Sequence, residues 1–152
     1  MTRFVRPSKV AVLIAVALSA GCGGPETIEP PPPTQSVQAY WVGIEETGAL
    51  HFHVTWNQSG RNLTLRTPCE PNQCILLPVN PAGQEAIGSG FPVAIVSGSG
   101  TLTDPGITFK MQLANGREFS FTGKVQESML MAGKVSSATF QASGITFEKR
   151  SQ

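Results

Sequence analysis

The sequence predicts an all-β domain built as an antiparallel meander of about seven to nine short strands. Apolar and polar residues alternate with a period of two in several segments, and Gly, Pro, Asn or Asp residues separate these segments at close intervals. Beyond the N-terminal leader, no segment longer than about ten residues has helical spacing. Sequential hairpins favour a small closed barrel, because closure removes exposed strand edges, and a β-sandwich is the alternative.

The first element, residues 1–21, is expected to be a secretory signal peptide. Arg3, Arg6 and Lys9 make the N-terminus positive, an apolar run follows at residues 10–18, and small residues occupy positions 19–21. Basic, apolar and small regions in this order are typical of a secretory leader. The apolar run is too short for a spanning helix, which needs about 20 residues.

The residue after the leader indicates the type of signal. Leu18-Ser19-Ala20-Gly21-Cys22 resembles the lipobox of bacterial lipoproteins, with Ser19 where Leu is commonest. The resemblance implies a diacylglyceryl group on the Cys22 thiol, cleavage before Cys22 and further acylation, with palmitate among the expected chains. Two or more acyl chains give stable membrane attachment. Gly23, in place of the Asp that suggests inner-membrane retention, favours the outer membrane, with the domain in the periplasm or at the cell surface.

The lipidated cysteine and a Pro-rich linker form the second element, residues 22–36. Four consecutive prolines at positions 30–33 favour polyproline II, a stiff spacer without internal hydrogen bonds. The remaining residues, 37–152, are expected to be one β-barrel-like domain, since this length suits a single compact domain.

Cys69 and Cys74 are the two cysteines that remain once Cys22 is assigned to lipid. A disulfide between them suits an oxidising compartment. The CxxxxC spacing differs from the CxxC of thioredoxin-like and zinc sites. We therefore predict a structural Cys69–Cys74 bridge.

The strands follow in order. Alternation is clearest over residues 50–57 and over 107–114, and Asn115-Gly116 predicts a type I′ hairpin turn with two positive φ angles. Further strands are predicted at 62–67, 75–79, 119–125, 129–135 and 139–147, and one more lies within the Gly-rich stretch 88–100. The remaining glycines, Gly98, Gly100, Gly123 and Gly133, are expected at turns, bulges or bends.

An early Trp41 and a late Arg150 give the domain a resemblance to the lipocalin-like calycins, where an N-terminal Trp lies near an Arg of the last strand. This chain reads Trp41-Val42-Gly43 where the calycin motif is Gly-x-Trp. The resemblance implies a barrel able to carry a small apolar molecule.

Candidate chemistry is sparse. His51 and His53 lie on one side of a strand and are weak candidates for a metal site, with Glu45 and Glu46 near in sequence. A site needs a third and usually a fourth ligand, and the alternative is a solvated strand face. Ser, His and Glu are all present, but no GxSxG elbow or other local nucleophile signature marks a triad. No cofactor is predicted.

The charge of the chain gives no indication of a nucleic-acid-binding protein. Without the leader, 8 of the 11 basic residues remain against 10 acidic ones, and no basic patch stands out. Nucleic-acid binding therefore has no electrostatic support.

The sequence thus predicts a membrane-anchored envelope lipoprotein, not an enzyme, whose β domain binds an unknown protein or small-molecule ligand. The long irregular region at 68–90 and the barrel mouth are the expected binding regions. A lipocalin-like carrier is the first alternative and a hydrolase the second. Interior packing separates the first two, because an interior filled by its aromatic side chains leaves no room for cargo.

Overall fold

A computed structural model of the chain describes residues 30–67, 74–78 and 92–151. These residues form strands and turns without a helix, so the all-β prediction is confirmed. None of them belongs to a helix long and apolar enough to cross a bilayer. The strands are β1 (Ala39–Glu45), β2 (Leu50–Ser59), β3 (Asn62–Leu65), β4 (Ile75–Pro78), β5 (Val93–Leu102), β6 (Gly106–Leu113), β7 (Glu118–Gln126), β8 (Leu130–Ser137) and β9 (Phe140–Arg150).

Eight of these strands close into a barrel. All pairings are antiparallel, and the order β1-β9-β8-β7-β6-β5-β3-β2 returns to β1 through the β1–β2 pair. The predicted meander and the barrel are therefore confirmed. Closure pairs the first strand with the last, and this leaves no free edge in the ring.

The extra strand, β4, continues the line of β3. Leu65 of β3 faces Trp56 of β2, and Ile75 of β4 faces His53 of β2. Both short strands also pair with β5. β3 and β4 thus occupy successive stretches of the same place in the wall, between β2 and β5.

Aromatic side chains fill the barrel interior. The ring centroid of Phe109 lies 4.7 Å from that of Trp56, 4.6 Å from that of Phe121 and 5.5 Å from that of Phe147. Phe52 adds an edge-on contact with Phe119 at 5.2 Å. An eight-stranded barrel is just wide enough for side chains to fill it. The largest fully buried side chains include Trp41, Trp56, Phe52, Phe109, Phe119, Phe121, Phe147 and Met111.

Four glycines expected at turns, bulges or bends lie inside strands: Gly98 and Gly100 in β5, Gly123 in β7 and Gly133 in β8. The bulge in β5 lies nearby, between Ile95 and Ser97. Close packing explains the glycines. A Cβ on Gly98 would lie 2.9 Å from Cη2 of Trp56 and 3.0 Å from the carbonyl oxygen of Lys110.

The β6–β7 hairpin keeps its predicted place with a different turn. Only Gly116 of the Asn115-Gly116 pair has a positive φ, at 84°, so the predicted type I′ turn is wrong. Leu113 N donates to the carbonyl of Arg117, and Gly116 N donates to the carbonyl of Leu113. A three-residue loop with glycine in the left-handed position replaces the two-residue turn.

Residues 31–37 contact one end of the barrel, which we call the N-terminal end, at the β2–β3 and β5–β6 turns. Thr34 and Gln35 donate hydrogen bonds to the Asp104 carboxylate, with 2.9 Å from both Thr34 N and Gln35 Nε2. These bonds, the Thr34 hydroxyl first, hold the pKa of Asp104 below its usual value. Val37 is fully buried, and its carbonyl accepts a bond from Trp41 Nε1 at 2.8 Å.

Candidate functional site

The two histidines lie on the outer wall of the barrel. His51 and His53 alternate with the buried Phe52 and Val54 of β2, so they take the solvent side of the strand. Both are half-buried, and the Tyr40 hydroxyl lies 2.5 Å from His53 Nδ1. Among the described residues, no three His, Cys, Asp or Glu side chains gather closely enough to hold a metal ion.

Glu45, one of the two acids near the histidines in sequence, lies on the opposite face of the sheet. The other, Glu46, is exposed and accepts a hydrogen bond from the Gly144 backbone N–H at 3.2 Å. The Glu45 side chain is 2 % exposed and accepts hydrogen bonds from the hydroxyls of Ser143 and Thr47. Burial alone would raise the pKa of Glu45, but the bonds from Ser143 and Thr47 lower it below its usual value. This Ser143–Glu45–Thr47 cluster contains no histidine, so the fold does not assemble the Ser-His-acid combination from these residues.

One row of side chains crosses the outer wall beside His53. Tyr40 faces Arg150 of β9 on one side and Thr55 of β2 on the other. Arg66 follows, because its backbone N–H donates to the carbonyl of Thr55 at 2.8 Å. Neighbouring strands lie about 4.8 Å apart. Tyr40 and Thr55 therefore lie side by side between Arg150 and Arg66.

The row forms the floor and sides of a cleft of about 320 Å³, which we call the Tyr40 cleft. Arg66, the residue that follows β3, is one of its lining residues. The predicted binding region, 68–90, lies almost wholly outside the described residues. The residues that line the cleft are Gln38, Ala39, Tyr40, Thr55, Trp56, Asn57, Arg66 and Arg150.

Thr55 is the unusual member of this row. It belongs to the outer face, yet it is only 3 % exposed. Its hydroxyl oxygen is buried and has no hydrogen-bond partner within the described part of the chain. A buried polar group without a partner costs roughly 1–3 kcal/mol. Tyr40, His53 and Arg66, by contrast, have further contacts that hold them in place.

The Arg150 guanidinium contacts the Glu148 carboxylate, with 2.6 Å between Nη2 and Oε2. Both side chains are about half exposed, and such pairs contribute little to stability. An arginine has five N–H donors, so this contact leaves others for a ligand. The cleft can therefore offer charged donors from two sides.

Trp41 and Arg150 do not adopt the arrangement that the calycin resemblance implies. Trp41 is buried inside the barrel and faces Lys149 in the β1–β9 register. Arg150 faces Tyr40 and is exposed on the outer wall. The two side chains therefore lie on opposite faces of the sheet.

The cysteine predictions fall largely outside the described residues. Cys22 and Cys69 lie beyond them, so lipidation and the Cys69–Cys74 bridge stay predictions. Cys74 is buried at the start of β4, with its Sγ 3.9 Å from the carbonyl oxygen of Arg66. That position places one end of the predicted bridge beside the Tyr40 cleft.

Sequence reasoning missed the cleft residues Tyr40, Thr55 and Arg66. The segment of β1 does alternate, with Trp41 and Gly43 inward, but Val42 and Ile44 make its outer face apolar as well. Pairing of the first strand with the last brought Arg150 to Tyr40, and no local pattern predicts that contact.

No family model matches the chain, and no curated protein matches it either. Among solved structures, the chain is similar to a de novo designed fluorescence-activating β-barrel, with 14 % sequence identity and a TM-score of 0.46. The match covers 73 % of this chain and 89 % of the designed chain. At this level of similarity the match says nothing about what the protein binds.

Proposed function

We propose that this protein is a lipid-anchored lipoprotein of the bacterial envelope and that its barrel is a non-enzymatic binding module. The module uses the Tyr40 cleft on its outer wall and does not carry cargo in its interior. The observation that carries this proposal is the contrast between the two places: aromatic rings occupy the interior, and a cleft lined mostly by polar side chains lies outside.

The packing of the interior argues against the carrier alternative. Phe52, Trp56, Phe109, Met111, Phe119 and Phe121 are each at most 2 % exposed and belong to one cluster. Ring centroids 4.6–5.5 Å apart are at contact distance for aromatic pairs. Cargo would have to displace these side chains, and protein interiors are packed too densely to yield that space cheaply.

Contacts at both ends of the barrel support the same conclusion. At the N-terminal end, Val37 is fully buried and its backbone N–H donates to Gln58 Oε1 at 2.8 Å. At the opposite end, the Arg117 guanidinium lies 5.2 Å from the Phe119 ring centroid, and Arg117 also donates to the Thr139 hydroxyl at 3.3 Å. These contacts order side chains over each opening.

The anchor proposal rests on the lipobox at residues 18–22, where Cys22 follows a basic, apolar and small-residue leader. Two or more acyl chains on Cys22 would attach the protein stably to a membrane.

Native mass spectrometry of the full-length protein, purified from membranes in mild detergent, tests this function. We expect a bound mass beyond the protein and its acyl chains. Asn57→Trp should abolish the adduct, because Asn57 is exposed and lines the cleft. Thr122→Trp is the matched control, since Thr122 is an exposed residue on the outer face of β7.

An adduct that survives Asn57→Trp would contradict binding at the cleft, and so would an adduct lost equally in both variants. An apolar adduct that is lost on Phe109→Trp and retained by Asn57→Trp would support the carrier. Absence of any adduct from both the wild-type protein and the control would count against a stable small-molecule ligand.

A further inference from the structure

We infer that the Tyr40 cleft recognises an oxyanion, with a phosphate group as the best fit. This inference rests on the proposed binding function and adds the chemical class of the ligand. The cleft combines the guanidinium groups of Arg66 and Arg150 with the side-chain amides of Gln38 and Asn57. Each of these groups can donate a hydrogen bond to an anionic oxygen.

The two arginines are the main argument for a phosphate. A guanidinium presents its N–H groups as a planar fork that matches the oxygens of phosphate or carboxylate. Arg66 and Arg150 stand on opposite sides of Tyr40 and Thr55, so an anion over the centre of the row can contact both. A phosphate offers enough oxygens to accept bonds from both guanidiniums and a side-chain amide at once.

The Glu148 carboxylate would compete with a ligand for the Arg150 guanidinium. The carboxylate contacts Arg150 at 2.6 Å, and the pair is half exposed to solvent. Solvent weakens such a pair, and an incoming dianion would share or displace the carboxylate. Removing the charge of Glu148 should therefore strengthen phosphate binding.

The buried hydroxyl of Thr55 is a second, independent indication of a ligand. A group that lacks a partner in the unliganded protein costs stability, and isosteric replacement by valine removes that cost. A small shift of the floor on binding would let this hydroxyl donate to the anion. Stability and affinity are thus expected to respond to Thr55→Val in opposite directions.

Isothermal titration calorimetry of the full chain carrying Cys22→Ser, with sodium phosphate at constant ionic strength, tests the inference. We expect saturable binding that weakens at least tenfold in Arg150→Gln and severalfold in Thr55→Val, and that tightens severalfold in Glu148→Gln. Lys110→Gln and Glu118→Gln are matched controls, because Lys110 and Glu118 form a comparably exposed pair on the outer wall at 3.0 Å. The controls should leave the affinity unchanged.

Two further experiments distinguish a carboxylate, a lipid headgroup and a free phosphate as the ligand. Acetate at the same ionic strength tests a carboxylate, and sedimentation with phosphatidylcholine vesicles, with and without phosphatidylglycerol, tests a lipid headgroup. Binding only to anionic vesicles, reduced by Arg150→Gln, would assign the phosphate to a lipid. Binding of free phosphate without vesicle binding would assign it to a smaller ligand.

An absence of saturable phosphate binding in every arm would overturn the inference, and so would equal losses in Arg150→Gln and Lys110→Gln. The proposed function is judged separately. A native adduct that Asn57→Trp abolishes, together with no binding of phosphate or anionic vesicles, would leave binding at the cleft intact and exclude only its phosphate.

Discussion

The rings of Phe109 and Phe121 are stacked inside the barrel, with 4.6 Å between their centroids and 24° between their planes. The two residues face each other in the β6–β7 register, so the hairpin itself brings the rings together. Phe147 of β9 contacts both rings edge-on, at 5.5 Å and 5.3 Å. Strands that are distant in sequence thus meet in one aromatic cluster.

Phe109→Ala tests whether this cluster is the core of the fold. We expect the free energy of unfolding to fall by about 3–5 kcal/mol, because the ring leaves a cavity that its neighbours fill only in part. Urea denaturation followed by tryptophan fluorescence would measure the change. Thr108→Ala, on the exposed face of the same strand, is the control and should cost under about 1 kcal/mol. A loss no larger than the control's would contradict a tightly packed interior.

Glu45→Gln should make the unfolding free energy less dependent on pH. The folded-state pKa of Glu45 is lowered, so its charge stabilises the fold above the ordinary carboxyl pKa, and this contribution is lost as pH falls through the folded value. We expect a loss of about 2 kcal/mol near pH 7, since hydrogen bonds to a buried charge are strong. The difference from wild type should shrink in acid.

Urea denaturation at several pH values would measure this effect, with Glu118→Gln as an exposed control. A constant difference between Glu45→Gln and wild type from neutral to acid pH would show that the carboxylate charge is not what the cluster uses.

Cys69→Ser is expected to lower the free energy of unfolding by about 2 kcal/mol, the chain-entropy value for a short disulfide loop. Peptide mapping without reduction should recover the segments containing Cys69 and Cys74 as one linked species. Recovery of both cysteines as alkylated thiols from protein isolated under oxidising conditions would refute the bridge.

Cys22→Ser should abolish both acyl labelling and membrane retention while the barrel still folds. The physical reason is that two or more acyl chains hold a protein on a bilayer, and the thiol is the site of the first attachment. Metabolic labelling with palmitate and membrane fractionation measure the two effects, with Cys69→Ser as the control that should keep its label. A Cys22→Ser protein that stays labelled and membrane-bound would disprove the anchor.

The strands that could be predicted from the sequence are those in which apolar and polar residues alternate. Strands β6 and β7 bury one face only, and β2 does so except at Thr55, so period two is visible in residues 50–57, 107–113 and 119–125. β5 was harder to delimit, because Gly98 and Gly100 continue a strand where glycine usually ends one. Glycine is required there by the close approach of Trp56 and the β6 backbone, which are distant in sequence.

The candidate site could not be predicted in the same way. Tyr40, Thr55 and Arg150 come from three strands, and only ring closure places them side by side. The sequence does not single out Thr55, because a threonine on the polar face of a strand is expected to be exposed. Its burial depends on the side chains that the folded barrel places around it. The two histidines are evident in the sequence, but Glu45 is buried on the opposite face of the sheet, and no three His, Cys, Asp or Glu side chains gather among the described residues.

The most direct test of outer-wall recognition is a backbone amide chemical-shift map of the isotope-labelled Cys22→Ser protein, recorded with phosphate and with the neutral apolar probe n-decanol. Binding at the Tyr40 cleft predicts saturable shifts for Tyr40, Thr55 and Arg66 with phosphate. It also predicts no saturable shifts for Phe109, Phe121 and Phe147 with decanol. Saturable decanol shifts at those three phenylalanines, with none at the cleft in either titration, would contradict the account and assign binding to the barrel interior.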